Sequence, residues 1–234
     1  MIIAIMPAFN EERTISGIVK RTKKYVDEVV VIDDFSTDKT GDIAKRAGAT
    51  VIRHPKNRGL GAALRTGFDY ALKKKAGIVI TIDADGQHNP DEMPKFIDRI
   101  NRGYGFVLGR RDLRKYPFTK KFGNFFLNAA TNFISGTNLK DTESGFRAFS
   151  YDTLKKLYLK AERYEIAVEI VFEVGRNNTR SANIDISSPV YVRGVNVFDG
   201  IKNFIYLLRR RERTVFSYLQ DVHYVVRKTV EKYF

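Results

Sequence analysis

The sequence has no cysteine and only three histidines among its 234 residues. Without cysteine the chain can form neither disulfides nor thiolate metal sites, a composition that suits a reducing compartment such as the cytosol. The three histidines, His54, His88 and His223, lie far apart and lack the spacing of a zinc site. A metal ion bound by this chain is therefore expected to have oxygen ligands.

The sequence also lacks a long apolar run. Charged residues interrupt every apolar stretch well before the ~18 residues that a membrane-spanning helix needs. The first ten residues are apolar, but they have neither the basic leader nor the cleavage pattern of a secretory signal. The sequence therefore predicts neither a signal peptide nor a spanning helix.

The formal net charge is +14, and the positive excess lies in the second half of the chain. Residues 110–121 carry six basic residues and one acid, and residues 199–234 carry eight basic and four acidic residues. These two segments therefore hold nine of the fourteen net charges. Such a local excess predicts an anionic partner, which is nucleic acid, a phosphorylated substrate or a membrane surface.

Short β-branched runs alternate with amphipathic helical patterns along the chain. Strands are predicted at residues 2–6, 28–32, 49–53, 77–82, 106–108 and 183–186, and helices at residues 15–19 (with Asn10 as the cap), 93–100, 120–135 and 164–176. This alternation, with continuously apolar strands, predicts an α/β fold with a mostly parallel sheet and helices on both faces. Ligands of such sheets bind at the carboxyl ends of the strands.

Residues 1–198 are predicted to form one domain, followed by a basic amphipathic helical tail at residues 199–234. The tail has an apolar face at helical spacing, made by Ile201, Phe204, Ile205 and Leu208, and a cluster of arginines follows it. Basic amphipathic helices lie in membrane interfaces, where each basic residue near an anionic surface contributes about 1 kcal/mol. Packing against the domain or against a second subunit is the alternative.

Two carboxylates follow a predicted buried strand in the sequence Asp83-Ala84-Asp85, and in an extended segment residues i and i+2 point to the same side. A hard divalent cation, Mg²⁺ or Mn²⁺, accepts one or two protein carboxylates and fills its other positions with water and substrate phosphate oxygens. Gln87 would add a third oxygen ligand. A solvated Asp-Gly turn is the structural alternative.

Asp33 and Asp34 follow the second predicted strand in the same way. An acid at this position can receive the ribose hydroxyls or the base of a nucleotide, and we expect this of Asp34. Asp38 is instead expected to cap the next helix.

Six blocks occur in this order: PAFNEE, VVVIDDFSTD, NRGLGAALRTGF, DADGQH, LGRR and DTESGFRAF. Together they resemble glycosyltransferase family 2, in particular its dolichyl-phosphate (polyprenyl-phosphate) mannose synthase type, over roughly residues 2–198. The resemblance implies the GT-A nucleotide-sugar-binding fold. It also implies the donor contacts Pro7, Phe9, Glu11, Asp34, Asp83, Ala84 and Arg193, and the metal ligands Asp83, Asp85 and Gln87.

Basic residues in the second half of the chain are candidates for phosphate binding. Arg111 follows a strand and a glycine, and its guanidinium fork matches phosphate oxygens; the resemblance places it, with Asp85, among the catalytic residues. Residues 141–147, DTESGFR, combine acids, a hydroxyl, a glycine and an arginine. By resemblance Ser144 and Arg147 contact the acceptor phosphate, and Lys121, next to Lys120, lies near where the family often has an arginine for it.

The predicted function is transfer of a hexose, with inversion, from GDP-mannose or a UDP-sugar to a polyprenyl or dolichyl phosphate at the cytoplasmic face of a membrane. A phosphate acceptor is already an anionic nucleophile and needs no base. The alternative acceptor is a glycan hydroxyl, for which Asp141 is the candidate catalytic base. A nucleic-acid-binding module is disfavoured because the basic residues form no such motif and acidic clusters line the expected pocket.

Overall fold

The computed structural model describes residues 1–112, 118–187 and 205–206, with residues 118–124 described by their backbone alone. Its strands are β1 (Ile2–Ala8), β2 (Glu28–Asp33), β3 (Thr50–Arg53), β4 (Ile78–Thr81), β5 (Phe106–Arg111), β6 (Arg147–Ser150) and β7 (Ser181–Ile186). Its helices are α1 (Ile15–Thr22), α2 (Thr40–Arg46), α3 (Leu60–Lys73), α4 (Met93–Asn101), α5 (Phe118–Ser135), α6 (Tyr151–Lys156) and α7 (Ile166–Arg176). A 3₁₀ turn at Pro90–Glu92 leads into α4.

All of these strands form one sheet in the order β3-β2-β1-β4-β6-β5-β7. Neighbouring strands from β3 to β4 are parallel, and so are β5 and β7. β6 is antiparallel to both of its neighbours, β4 and β5. The predicted α/β fold with a mostly parallel sheet is confirmed.

Neither β6 nor the short helix α6 after it was predicted from the sequence. β6 has only four residues and begins with an arginine, so it shows no apolar run that would indicate a strand. It is nevertheless buried over three of its four residues because it fills the space between β4 and β5. Arg147 pairs with Thr81 of β4 and with Leu108 of β5.

The sheet has an apolar cluster on each face because successive strand side chains point to opposite sides. In β1, Ala4 and Met6 belong to the cluster covered by α1, α2 and α4, whereas Ile3 and Ile5 belong to the cluster covered by α3, α6 and α7. This arrangement confirms the predicted helices on both faces. It also leaves the loops at the carboxyl ends of the parallel strands as the place where polar side chains gather.

Most predicted elements are present, but the predicted cap of the first helix is wrong. α1 begins only at Ile15, and Asn10 lies in the left-handed region at φ 57°. Asn10 Oδ1 instead accepts the backbone N–H of Thr37 at 2.8 Å, so it joins two loops rather than capping a helix. The expected role of Asp38 is confirmed, since its Oδ1 accepts the N–H of Thr40 at the start of α2.

Of the predicted tail, only Ile205 and Tyr206 are described. The Tyr206 hydroxyl donates to Glu169 Oε1 at 2.7 Å, and its ring packs against the apolar cluster of α3 and α7. At this point the chain contacts the domain. The rest of residues 199–234 and the predicted boundary after residue 198 lie outside the described residues. Within the described part of the chain, no helix is both long and apolar enough to cross a membrane.

Candidate active site

The loops that follow β1 and β2 are joined by hydrogen bonds into one unit. The backbone N–H of Asn10 donates to Ser36 Oγ at 3.0 Å, and that of Glu11 donates to Thr40 Oγ1 at 2.7 Å. In the opposite direction, the N–H of Thr37 donates to Asn10. A ligand bound at this edge of the sheet therefore meets a backbone that is already organised.

The residues expected to contact a donor from β1 differ in exposure. Pro7 lies inside β1 and pairs with Ile32, whereas the ring of Phe9 is 47% exposed beyond the strand end. The Glu11 carboxylate accepts the hydroxyl of Thr14 at 3.1 Å. Ala84, expected on the same side, is 3% exposed and its methyl belongs to the apolar cluster, so any ligand contact falls to its backbone.

Asp34, the predicted nucleotide contact after β2, also has a structural role. It is 4% exposed, and its Oδ1 lies 2.7 Å from His54 Nδ1. The backbone N–H groups of Arg58 and Gly59 donate to Oδ1 and Oδ2 at 2.9 and 2.7 Å. Both oxygens of the carboxylate are thus used to hold the segment that enters α3. The expected contact of Asp34 with a nucleotide stays a prediction.

Asp85 lies beyond β4, in the loop where a metal ligand was predicted. Its Oδ1 accepts the backbone N–H of Gln87 at 2.9 Å, and its Oδ2 accepts the side-chain amide of Gln87 at 2.7 Å. Burial and the negative charge of Asp83 raise the pKa of Asp85 above its ordinary value. The two aspartates are therefore near enough to repel each other, and Gln87 orients one of them.

Asp83 lies among positively charged groups. Its Oδ2 is 3.2 Å from His88 Nε2. Desolvation by the surrounding protein would raise the pKa of Asp83, but the hydrogen bond and the electrostatic interaction with His88 oppose it. The charges of Arg147 and Arg111 act in the same direction as His88, so the pKa of Asp83 lies below its ordinary value. Asp83 is thus an anion at neutral pH.

His88 is a site residue that the sequence reasoning missed. It is 2% exposed, and its ring lies 5.5 Å from the ring of Phe146. The sequence held a signal, because His88 belongs to the same DADGQH block as the two aspartates. Zinc-ligand spacing did not reveal this histidine, because its imidazole orients the carboxylate of Asp83.

Residues 141–147 pack directly against Asp83. Gly145 is in contact with the carboxylate of Asp83, and a β-carbon at this glycine would overlap both carboxylate oxygens. The Thr81 hydroxyl donates to the backbone oxygen of Gly145 at 2.8 Å and fixes the approach. The structure therefore brings the loop after β4 together with the DTESGFR segment.

Arg111 and Asp141 form a bidentate ion pair. Arg111 Nε and Nη2 each lie 2.7 Å from a different oxygen of Asp141, and the Arg111 backbone N–H donates to Oδ2 at 3.0 Å. The two side chains are 13% and 2% exposed. Asp141 was the candidate base, but in this arrangement its carboxylate holds the arginine that was expected at the donor phosphates. Both oxygens of the candidate base therefore already accept hydrogen bonds from Arg111.

Ser144 and Arg147 lie beneath the surface of the same segment. They are 0% and 2% exposed, and neither Ser144 Oγ nor Arg147 Nε has a hydrogen-bond partner among the described residues. Burial lowers the pKa of Arg147, while the nearby charges of Asp83, Glu143 and Asp141 oppose that effect. Buried polar atoms without partners are costly, so these two atoms are suited to an anionic ligand.

The remaining predicted contacts lie where the structure gives no description. Arg193 is outside the described residues, and so are the side chains of Lys120 and Lys121, although the predicted helix that carries the two lysines is present as α5. Their predicted phosphate contacts stay predictions.

Comparison with known proteins gives consistent results. A family model described as glycosyl transferase family 2 matches residues 3–179. The chain is 34% identical to a UDP-N-acetylglucosamine–dolichyl-phosphate N-acetylglucosaminyltransferase of Methanococcus voltae, over 89% of this chain and 95% of that protein. It is 26% identical to a polyprenol monophosphomannose synthase of Mycolicibacterium smegmatis, over 85% of this chain and 81% of that protein.

A solved structure shares the fold. The glucosyl-3-phosphoglycerate synthase of Mycobacterium tuberculosis, crystallised with Mn²⁺, UDP and glucosyl-3-phosphoglycerate, superposes with a TM-score of 0.71 at 22% identity. The match covers 90% of this chain and 79% of that one.

Proposed function

Because the chain belongs to glycosyltransferase family 2 and is a glycosyltransferase, we propose that it transfers a hexose from a nucleotide diphosphate sugar to a polyprenyl or dolichyl phosphate, with inversion at the anomeric carbon. The family resemblance found in the sequence and the expected GT-A fold are both confirmed. The donor sugar, the acceptor and the stereochemistry belong to the proposal. A UDP-sugar and GDP-mannose are the two donors that we consider.

One observation carries the proposal. At the carboxyl edge of the sheet Asp83 lies close enough to Asp85 for their charges to interact, and it also interacts with the charges of Arg111 and Arg147. The acids are suited to a metal ion and the guanidinium groups to phosphate oxygens. A site that combines both binds a metal-chelated diphosphate and stabilises it as it leaves the sugar.

The two aspartates fit a divalent cation, Mg²⁺ or Mn²⁺. Their mutual repulsion, which helps to raise the pKa of Asp85, is relieved by a cation that both contact. Among the described residues no group of three or more acidic or histidine side chains is arranged to hold a metal. The site therefore fits an ion that has few protein ligands and completes its coordination shell with donor phosphate and water. The predicted protein ligands are Asp83, Asp85 and Gln87. When bound, such an ion neutralises charge on the leaving diphosphate.

The chain's own residues position the reactants and stabilise charge. Arg111, held rigidly by Asp141, directs a fixed positive charge toward the diphosphate, and one such contact is worth about 2.7–4 kcal/mol at a transition state. Asp83 is kept ionised by His88 and by the arginines. Because these groups are fixed before the donor binds, little reorganisation is needed during transfer.

The state of Asp141 favours a phosphate acceptor over a glycan hydroxyl. A hydroxyl acceptor needs a general base, and the best candidate has both carboxylate oxygens on Arg111. A phosphate monoester is already ionised and needs only positioning, for which Ser144 and Arg147 have buried polar atoms in need of a partner. The names of the relatives point to the same acceptor class.

A lipid acceptor requires contact with a membrane, and α5 has a surface suited to one. Phe125, Phe126 and Phe133 are 73%, 60% and 47% exposed on this helix, with exposed Ala129 between them. Burying a phenylalanine gains about 1.5–3 kcal/mol, so this face is poorly suited to water. The basic segment 110–121 adjoins it in sequence, and together they favour an anionic membrane surface at the cytoplasmic side.

The test is incubation with radiolabelled UDP-N-acetylglucosamine, UDP-glucose and GDP-mannose in turn, with polyprenyl phosphate and Mg²⁺ or Mn²⁺, followed by organic extraction. We expect label in the organic phase with one donor, and none after chelation or in Asp85→Ala. Asp152→Ala is the matched control, because this exposed aspartate lies in the first turn of α6 at the opposite edge of the sheet.

A separate experiment tests the membrane surface of α5. Phe126→Ser should weaken co-sedimentation of the protein with anionic vesicles.

The outcomes separate the parts of the proposal. Label that stays in the aqueous phase with every active donor would rule out a lipid acceptor, and a glycan hydroxyl would then be the remaining candidate acceptor. Full turnover in excess chelator would rule out a requirement for a metal ion. Activity retained by Asp85→Ala would remove the role of that carboxylate.

A further inference from the structure

Phe35 has a backbone conformation that its side chain does not favour. It follows Asp34 in a tight turn that is closed by the Ser36 N–H donating to Asp33 Oδ1 at 2.8 Å. The φ angle of Phe35 is 68°, in the left-handed region where glycine or asparagine normally stands. A bulky residue persists in such a conformation only where the surrounding structure imposes it, and such residues cluster at functional sites.

Packing does not explain why a phenylalanine occupies this position. The side chain is 43% exposed, and it belongs to neither of the two apolar clusters on the sheet. Its ring contact among the described residues is the guanidinium of Arg53, 5.9 Å from the ring centre. Arg53 is itself fixed, since it donates to the backbone oxygen of Ser36 at 2.8 Å and lies 3.5 Å from Asp33. One face of the ring is thus held by a cation.

Phe35 and Phe9 stand beyond neighbouring strands at the edge of the sheet that carries the acidic site. Ala8 of β1 pairs with Asp33 of β2, so the residues after them leave the sheet side by side. The Asp34 N–H donates to the Ala8 backbone oxygen at 2.9 Å and continues that register past the strand ends. The two loops are further joined through Asn10, so the two exposed rings are held by one rigid unit.

From this placement we infer that Phe35 is a donor-binding residue that stacks on the nucleobase of the donor, with Phe9 as the second apolar contact. The inference rests on the proposed function, since it presumes a nucleotide-sugar donor. Bases have an apolar π-face that stacks on exposed aromatic rings. The guanidinium of Arg53 behind the ring restricts its movement and leaves the other face for the ligand. The unfavourable turn is then retained for binding rather than for stability.

The experiment measures binding of UDP and GDP, each with Mg²⁺, by isothermal titration calorimetry, with inorganic pyrophosphate as a probe that has no base. Phe35→Gly should weaken binding of the preferred nucleotide about 10- to 100-fold, the size of one stacking contact. Binding of pyrophosphate should stay unchanged. Because glycine favours a positive φ, the melting temperature should stay the same or rise. Phe35→Tyr should restore nucleotide binding.

Lys75→Gly is the matched control. Lys75 is also a non-glycine residue at positive φ, 53°, but it is exposed at the end of α3 and away from this edge. It should gain stability in the same way and bind both nucleotides as the wild type does. Nucleotide affinity within twofold of wild type in Phe35→Gly would overturn the inference, as would an equal loss of pyrophosphate binding. Wild-type protein that binds neither UDP nor GDP would overturn the proposed donor and this inference together.

Discussion

Replacing Asp141 by asparagine tests what this carboxylate does. The amide keeps the shape of the side chain, and asparagine tolerates the left-handed backbone that Asp141 adopts at φ 60°. The substitution therefore removes one charge and half of the bidentate contact without disturbing the loop. Its partner Arg111 is only 13% exposed and would lose its bidentate contact with a carboxylate.

The expected loss of stability follows from burial. Removing one member of a buried ion pair costs about 3–5 kcal/mol, because the remaining charge stays desolvated. We expect Asp141→Asn to lower the free energy of unfolding by an amount in this range, and Arg111→Met to do likewise by leaving a carboxylate that is 2% exposed. The double variant should be more stable than the sum of the two losses predicts. Denaturant unfolding measures all three.

Turnover with the preferred donor and polyprenyl phosphate then separates positioning from base catalysis. If Asp141 acts by holding Arg111, both single variants lose activity because the same contact is broken. The turnover of the double variant should then be no lower than that of the less active single variant. Losses that multiply in the double variant would refute this reasoning, because Asp141 would then have a function independent of Arg111. A base that acts on an acceptor hydroxyl is such a function.

Two further outcomes follow from close contacts. Gly145→Ala places a methyl against the carboxylate of Asp83 and should lower kcat/KM for the donor at least tenfold, whereas Gly17→Ala, on an open face of α1, should preserve activity and add about 0.5–1 kcal/mol of stability. Asp38→Ala should cost about 1 kcal/mol near neutral pH through loss of a cap. Burial would raise the pKa of Asp38, but hydrogen bonds from Thr40 dominate and lower it. The loss of stability in Asp38→Ala should therefore be present above about pH 4 and vanish as the pH falls through the folded-state pKa of Asp38. Unfolding measured against pH checks it, and a cost that persists in strong acid would contradict it.

The sequence predicted the parts of the fold that depend on local pattern. The central parallel strands have continuous apolar runs, and helices α4, α5 and α7 have a clear apolar face, so these were found within a few residues. The bounds of α3, which is longer than α4 and α7, were not predicted. β6 was missed because its strand character comes from its neighbours. Arg147–Ser150 is a strand only because β4 and β5 leave a space between them.

The same distinction holds for the candidate site. That the acidic loop after β4 lies at the ligand-binding edge was predictable, since ligands of parallel sheets bind at the carboxyl ends of the strands. That the DTESGFR segment meets it there was not, because this segment enters the sheet through the unpredicted antiparallel strand β6. The partners of individual side chains were not predictable either. Asp34 is hydrogen-bonded to His54, 20 residues later in the chain, and Arg111 to Asp141, 30 residues later. No local sequence pattern indicates such pairs. Charged residues in suitable blocks were therefore assigned to ligands, although some of them serve each other.

The position of β6 affects how the chain folds during synthesis. The first four strands are complete at Thr81, yet one edge of β4 stays uncovered until Arg147–Ser150 has left the ribosome, about 70 residues later. At about 5–20 residues per second this interval lasts several seconds. All four residues of β4 are buried in the finished protein, so the waiting edge is apolar and open to pairing with other chains. We therefore expect a nascent chain stalled before residue 147 to be a substrate for chaperones.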